Sequence, residues 1–146
     1  MLSNSCKYGI RAITYIASKH EKPGNTGLKE IASALNLPTP FLAKILQLLV
    51  KRKILVSAKG PRGGFILQKS PSEISLYDIV EAIDGNDLFV NCVMLNKTCK
   101  CSDKEKSPCL LHGEYIKIRA DLVSLFRGRT IANVVDSVRN SEDIEI

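Results

Sequence analysis

The sequence predicts a mainly α fold with one small β-hairpin, and three observations predict it. Apolar residues recur at spacings of three and four in several windows, the mark of helices with one buried face. Two short β-prone runs flank a Gly/Pro turn, the mark of a hairpin. The chain has 146 residues, 45% of them hydrophobic, which suits one ordinary domain with a proper core.

The first helix is expected over about residues 3–19, where Cys6, Ile10, Ile13 and Ala17 share one face. Lys22-Pro23-Gly24-Asn25 ends it. A second helix is expected over about residues 28–35, with Thr26 as its N-cap and Glu30 near the positive end of the dipole. Asn36 suits the left-handed conformation that closes a helix. In the third helix Thr39 is the expected N-cap and Pro40 the first helical residue, where its missing N–H costs nothing. Leu42, Ile45, Leu46 and Leu49 form its buried stripe; Phe41, Lys44, Gln47 and Lys51 lie opposite. Two short helices joined by a tight turn, the second with a polar and cationic face, read as a helix-turn-helix.

The runs Ile54-Leu55-Val56-Ser57 and Gly64-Phe65-Ile66-Leu67 then enclose Ala58-Lys59-Gly60-Pro61-Arg62-Gly63, a turn with two cations. This hairpin with a basic tip reads as a wing. Ser75 caps the next helix, with Asp78 completing a capping box, Ile79, Val80 and Ile83 for burial, and Asp84-Gly85-Asn86 as its end. Residues 86–108 show no period of their own, and a stretch of that length points to a functional loop. A long helix follows from about Leu110. Leu111, Tyr115, Ile118, Leu122 and Leu125 alternate spacings of four and three along it, the seam of a coiled-coil contact and hence a candidate dimer interface. Thr130 caps a short terminal helix that runs through Val138. The expected organisation is a winged helix-turn-helix over residues 1–85, a cysteine-containing loop over 86–109, and a dimerisation helix with a short C-terminal helix over 110–146.

Charge is divided unevenly. Residues 1–69 hold 12 Lys and Arg against 2 Asp and Glu, whereas residues 70–146 hold 9 against 13. A basic half joined to an acidic half suggests one part for a polyanion and another for something else; an ordinary lopsided surface is the plainer reading. No apolar run approaches the roughly 20 residues of a membrane span, and the N-terminus lacks the apolar core of a signal peptide. A cytoplasmic protein is therefore expected, with no membrane partner. Of the 5 cysteines, Cys92, Cys99, Cys101 and Cys109 fall in one short polar stretch. An odd count without an export signal argues against a disulfide framework and for metal binding or redox chemistry. Cys6 shares an apolar face with Ile10 and Ile13 and reads as a buried structural thiol.

Taken together, certain segments resemble the Rrf-type winged-helix regulators, the family of IscR, NsrR and CymR. They are Tyr8-Gly9-Ile10-Arg11-Ala12, Ile31-Ala32, Phe41-Leu42, the wing Lys59-Gly60-Pro61-Arg62-Gly63-Gly64-Phe65, residues 75–85, and Cys109-Leu110-Leu111-His112. The resemblance spans nearly the whole chain, and the wing is its most specific piece. It implies a two-fold dimer built on the long C-terminal helix, with two recognition helices in successive major grooves. It also implies, in cluster-binding members, a [2Fe–2S] or [4Fe–4S] centre on three cysteines that precede the dimer helix. The fourth ligand varies; in one branch it is a histidine placed as His112 is here. Cys92 and Cys109 occupy the family's first and last cysteine positions. Cys99 and Cys101 both stand for the middle one, and the loop is longer than the family pattern, with six, one and seven residues between successive cysteines. Cys92, Cys101 and Cys109 with His112 form one candidate set; all four cysteines form another, which also suits zinc. Free thiols without a cofactor complete the alternatives. In another branch an acidic residue near the start of the first helix serves as ligand; Lys7 stands about there and closes that route.

For double-stranded DNA, the start of a recognition helix meets base edges, which nominates Thr39, Phe41, Ala43, Lys44 and Gln47. Phe41 suits a thymine methyl, and Gln47 an adenine or a phosphate. Lys51, Arg52 and Lys59 suit phosphates, and Arg62 at the wing tip suits a narrow minor groove. Enzyme readings fail on the residues. Gly60 to Gly64 lacks the Gly-Lys-Ser/Thr of a phosphate-binding loop, and only His20 and His112 are available for acid–base work. The expected function is a homodimeric DNA-binding transcription regulator responding to redox, nitric oxide or iron–sulfur status. A same-fold regulator sensing a small molecule or partner protein, and a winged-helix interaction module, are the alternatives.

Overall fold

The computed structural model describes residues 1–19, 24–92 and 111–140. Helix α1 spans Asn4–Ser18, capped by Ser3, whose hydroxyl accepts from the Cys6 N–H. Ser3 also donates from its backbone N–H and its hydroxyl to Asp84, which fastens α1 to the end of a later helix. Helix α2 spans Leu28–Ala34 and α3 spans Thr39–Lys51. Both end in Schellman geometry. Asn36 (φ 51°) and Leu37 donate back to Ser33 and Ala32, and Lys53 (φ 58°) and Ile54 donate back to Val50 and Leu49. Asn36 is the expected closing residue. Lys53 is a longer side chain held in a left-handed position that glycine usually takes.

Two caps differ from expectation. Gly27 is the N-cap of α2, because Thr26 is drawn into the hairpin instead: its backbone exchanges two hydrogen bonds with Phe65, 3.0 and 2.9 Å long. Pro38, in an extended conformation, precedes α3, so Thr39 is already helical and Pro40 follows it within the first turn.

Strands β1 (Leu55–Ala58) and β2 (Gly64–Leu67) pair antiparallel with Leu55 opposite Leu67 and Ser57 opposite Phe65. Leu55 and Leu67 face the core; Val56 and Ile66, one residue on, face outward. Gly64 is required on two counts: its φ is +150°, and a Cβ there would collide with the Thr26 carbonyl.

A single 3₁₀ turn at Pro71–Glu73 leads to helix α4, Leu76–Asp84, with the expected Ser75–Asp78 capping box and Gly85 at its end. The irregular stretch expected after residue 86 begins with one helical turn, α5 (Asp87–Val90), which buries Phe89. Helix α6 spans His112–Gly128 and α7 spans Ile131–Arg139, capped by Thr130.

One core joins α1, α2, α3, the wing, α4 and α7 through Ile13, Ile31, Leu42, Leu46, Leu49, Leu55, Ile79 and Ile131. Helix α7 therefore returns to the head: Thr130 bridges Ser75, and Leu76 and Ile131 exchange backbone bonds with Arg129 and Ile74. A second cluster, Cys6, Val80 and Phe89, receives Leu122, Val123 and Phe126 from α6. The mainly α class with a hairpin wing is as the sequence predicts. Among the described residues no single helix is long and apolar enough to cross a membrane.

Candidate nucleic-acid interface and cysteine cleft

Helix α3 is divided by its own periodicity. Leu42, Ile45, Leu46 and Leu49 are at most 2% exposed, so the opposite surface is the only one left for a partner. That surface carries Phe41, Lys44, Gln47 and Lys51, all exposed, with Arg52 exposed at the helix end; Thr39 and Ala43 are half-buried at its margin. The negative end of the α3 dipole is matched by Lys51 in its last turn.

Lys59 and Arg62 are exposed at the turn between β1 and β2. The turn is held from outside the hairpin: the Asn25 side-chain amide donates to the Arg62 carbonyl at 2.9 Å. With the Thr26–Phe65 bridge beneath it, the wing is fixed at two points to the segment that precedes α2. Neither anchor shows in sequence spacing, because both join residues about forty positions apart. Phe41 also has a neighbour that sequence reasoning missed: Tyr8 meets it edge-on, with ring centroids 5.9 Å apart.

Cys92 is half-buried just beyond α5 and lines an open cleft of about 330 Å³ with Asp84, Asp87, Leu88, Asn91 and Tyr115. His112, the first residue of α6, is half-buried. Cys99, Cys101 and Cys109 lie outside the described residues. The guanidinium of Arg119 donates to the carbonyls of Val90, at 3.0 Å, and Asn91, at 3.5 Å, the two residues before Cys92. Around it Phe89 stacks on Tyr77 and meets Phe126 edge-on, and Arg127 lies 4.6 Å over the Tyr77 ring. The cleft is thus built from α4, α5 and α6 together.

Cys6 is fully buried between α1 and α4. Burial pushes its thiol up to about 12, and the nearby Asp84 charge adds to the shift, so it stays protonated and unreactive at neutral pH. This is the structural thiol that the apolar spacing suggests.

The seam expected on α6 is split. Tyr115 and Leu122 are half-buried against their own chain, while Leu111, Ile118 and Leu125 are 47%, 62% and 53% exposed. Those three recur every seven residues and form an apolar row on a helix with no fully buried residue.

A helix-turn-helix with a cationic recognition face, followed by a β-wing with a cationic tip, defines a winged-helix DNA-binding regulator rather than an enzyme. Residues 2–137 match the family described as Rrf2, iron-dependent transcriptional regulator. The chain is also 32% identical to an HTH-type transcriptional regulator of Aquifex aeolicus, over 93% of this chain and 92% of that one. The fold is similar to that of CymR, the global cysteine regulator of B. subtilis, with a TM-score of 0.77 at 23% identity, covering 94% of this chain and 97% of the other. It is similar too to T. potens IscR, with a TM-score of 0.76 at 20% identity, covering 100% and 93%. This chain belongs to the Rrf2 family of transcription regulators.

Proposed function

We propose that the chain is a homodimeric regulator in which residues 1–85 bind an operator, residues 86–109 sense, and residues 110–146 join two copies. Thr39, Phe41, Lys44 and Gln47 meet base edges in the major groove. Lys51, Arg52 and Lys59 neutralise phosphates, and Arg62 enters the adjacent minor groove. Leu111, Ile118 and Leu125 meet the same row on a second copy, with Tyr115 and Leu122 at the edge of that contact. An apolar row at heptad spacing, more than two-fifths exposed throughout, supports a helical partner there.

The sensing group is an iron–sulfur cluster on Cys92, Cys109 and either Cys99 or Cys101, with His112 as a further ligand. The donor set suits it: thiolates with one imidazole, the first of them in a half-buried cleft. When bound, such a cluster supplies reversible one-electron chemistry and reactivity toward oxygen or nitric oxide. The observation that carries the regulatory reading is Arg119. Its bonds to the carbonyls just before Cys92 tie the cysteine loop to the dimer helix, so a shift at Cys92 moves α6 and with it the spacing of the two α3 helices.

The test is an ultraviolet–visible spectrum with metal and sulfide analysis of protein purified without oxygen, followed by operator binding before and after cluster loss. Visible absorption with bound iron and sulfide, both lost in Cys92→Ala or Cys109→Ala, is the expected result. Colourless protein with stoichiometric zinc would assign the loop a structural metal. Equal affinity for DNA in the loaded and stripped forms would end the regulatory reading.

A further inference from the structure

Helix α1 has a side chain pair that the recognition helix and the wing do not account for. Tyr8 packs edge-on against Phe41, and the guanidinium of Arg11 lies 5.7 Å from the centre of the Tyr8 ring. Arg11 makes no hydrogen bond or ion pair among the described residues, and it is half-exposed. Phe41 keeps 36% of its surface open, on the flank of α3 that turns toward α1. This juxtaposition is held in place from beneath. Gly9, the neighbour of Tyr8, lets α1 close onto two helices: a Cβ there would collide with Ile83 of α4 and stand 3.3 Å from Ile45 of α3. The register of Tyr8 against Phe41 therefore goes with the close approach of α1 to the side chains of Ile83 and Ile45 at Gly9.

A half-exposed phenylalanine on a recognition helix has several rotamers available, and freezing it on binding costs conformational entropy. The Tyr8 edge restricts those rotamers before DNA arrives. The Arg11 guanidinium over the same ring, with no hydrogen bond or ion pair among the described residues, has donors available to a phosphate.

We propose that α1 is a third DNA-contacting element: Arg11 holds a backbone phosphate, and Tyr8 is a positioning residue that fixes Phe41 against a thymine methyl group. This rests on the reading of α3 as the recognition helix.

The probe is a duplex selected by the wild-type chain from a random-sequence pool, made once with thymine and once with uracil, which lacks the 5-methyl group. Wild type is expected to bind the uracil duplex several-fold more weakly. Arg11→Gln is expected to lower the slope of log K against log salt by about one on selected and unrelated duplexes alike, and Arg11→Lys to retain it. Tyr8→Leu is expected to weaken the selected thymine duplex, leave the salt slope unchanged and remove most of the thymine–uracil difference. Tyr8→Phe keeps the ring and is expected to bind as wild type. An unchanged slope in Arg11→Gln overturns the phosphate contact, and a thymine–uracil difference that survives Tyr8→Leu overturns the positioning role. A wild-type chain that selects no duplex would instead overturn the recognition-helix reading itself.

Discussion

Helices α3 and α6 carry apolar residues at nearly the same spacing and put them to opposite uses. In α3 the stripe Leu42, Ile45, Leu46, Leu49 is sealed by α1, α2, α4 and the wing. In α6 the side that bears Leu122, Val123 and Phe126 rests on α4 and α5, and the row Leu111, Ile118, Leu125 is left open. A helix that closes its own face presents little apolar surface to a partner; one that leaves an apolar row exposed presents a surface of the kind that partners cover. Periodicity alone reports that a face is apolar. Only the tertiary arrangement says whose surface covers it.

Four measurements would break or sharpen that contrast. Leu46→Ala, at a fully buried position, is expected to cost about 2–5 kcal/mol in urea unfolding. A cost below 1 kcal/mol, in contrast, would mean that the α3 stripe is not a closed core. The next effect falls where the two helices' territories meet. Cys6 ionises at about 12 when folded against 9.0 ordinarily, because burial, aided by Asp84, disfavours the thiolate. Below about pH 9 its contribution is complete. As pH rises toward 12 the unfolded thiol ionises and the folded one does not, so stability falls by up to about 1.4 kcal/mol per pH unit. Urea midpoints between about pH 8 and pH 11 are expected to fall less steeply for Cys6→Ala than for wild type, and identical slopes would place Cys6 nearer to water. Third, Ile118→Ala is expected to change intrinsic stability by less than about 0.5 kcal/mol while weakening self-association in sedimentation equilibrium. A large loss of monomer stability would show that α6 closes on its own chain. Smallest is Lys53→Gly, which relieves a left-handed residue but frees the unfolded chain, and is expected to gain about a few tenths of a kcal/mol in thermal unfolding.

Much of the head was legible because local and tertiary demands agree there. The α1 and α3 stripes, the Ser75–Asp78 cap, Asn36 and strand β2 all follow from spacing and cap chemistry. Thr26 was misread because its side chain suits a cap while its backbone is claimed by Phe65, a partner that no local rule supplies. Thr39 moved inside α3 because Pro38 already provides the extended residue before it. The turn of α5 is too short to show a period, and only the burial of Phe89 against Tyr77 and Phe126 reveals why it forms. On α6 the heptad spacing was plain, but the division between Leu122 and Ile118 depends on where α4 lies. In the cysteine stretch, residue type nominates thiolate chemistry and spacing leaves the ligand set open. Arg119, which bonds the approach to Cys92, gave no signal at all, since an arginine on an amphipathic helix is ordinary.

The joint between Thr26 and Gly64 also sets the unit in which this fold can be exchanged among relatives. A chimaera that replaced residues 55–67 alone would bring in a foreign hairpin while retaining the carbonyl that Gly64 was fitted to, and would lose the register of Phe65 with Thr26. The Asn25 amide would likewise face an unfamiliar turn. Residues 25–27 and 55–67 therefore form one cassette, discontinuous in the chain and continuous in space, and the set of the hairpin should transfer between family members only when both pieces travel together.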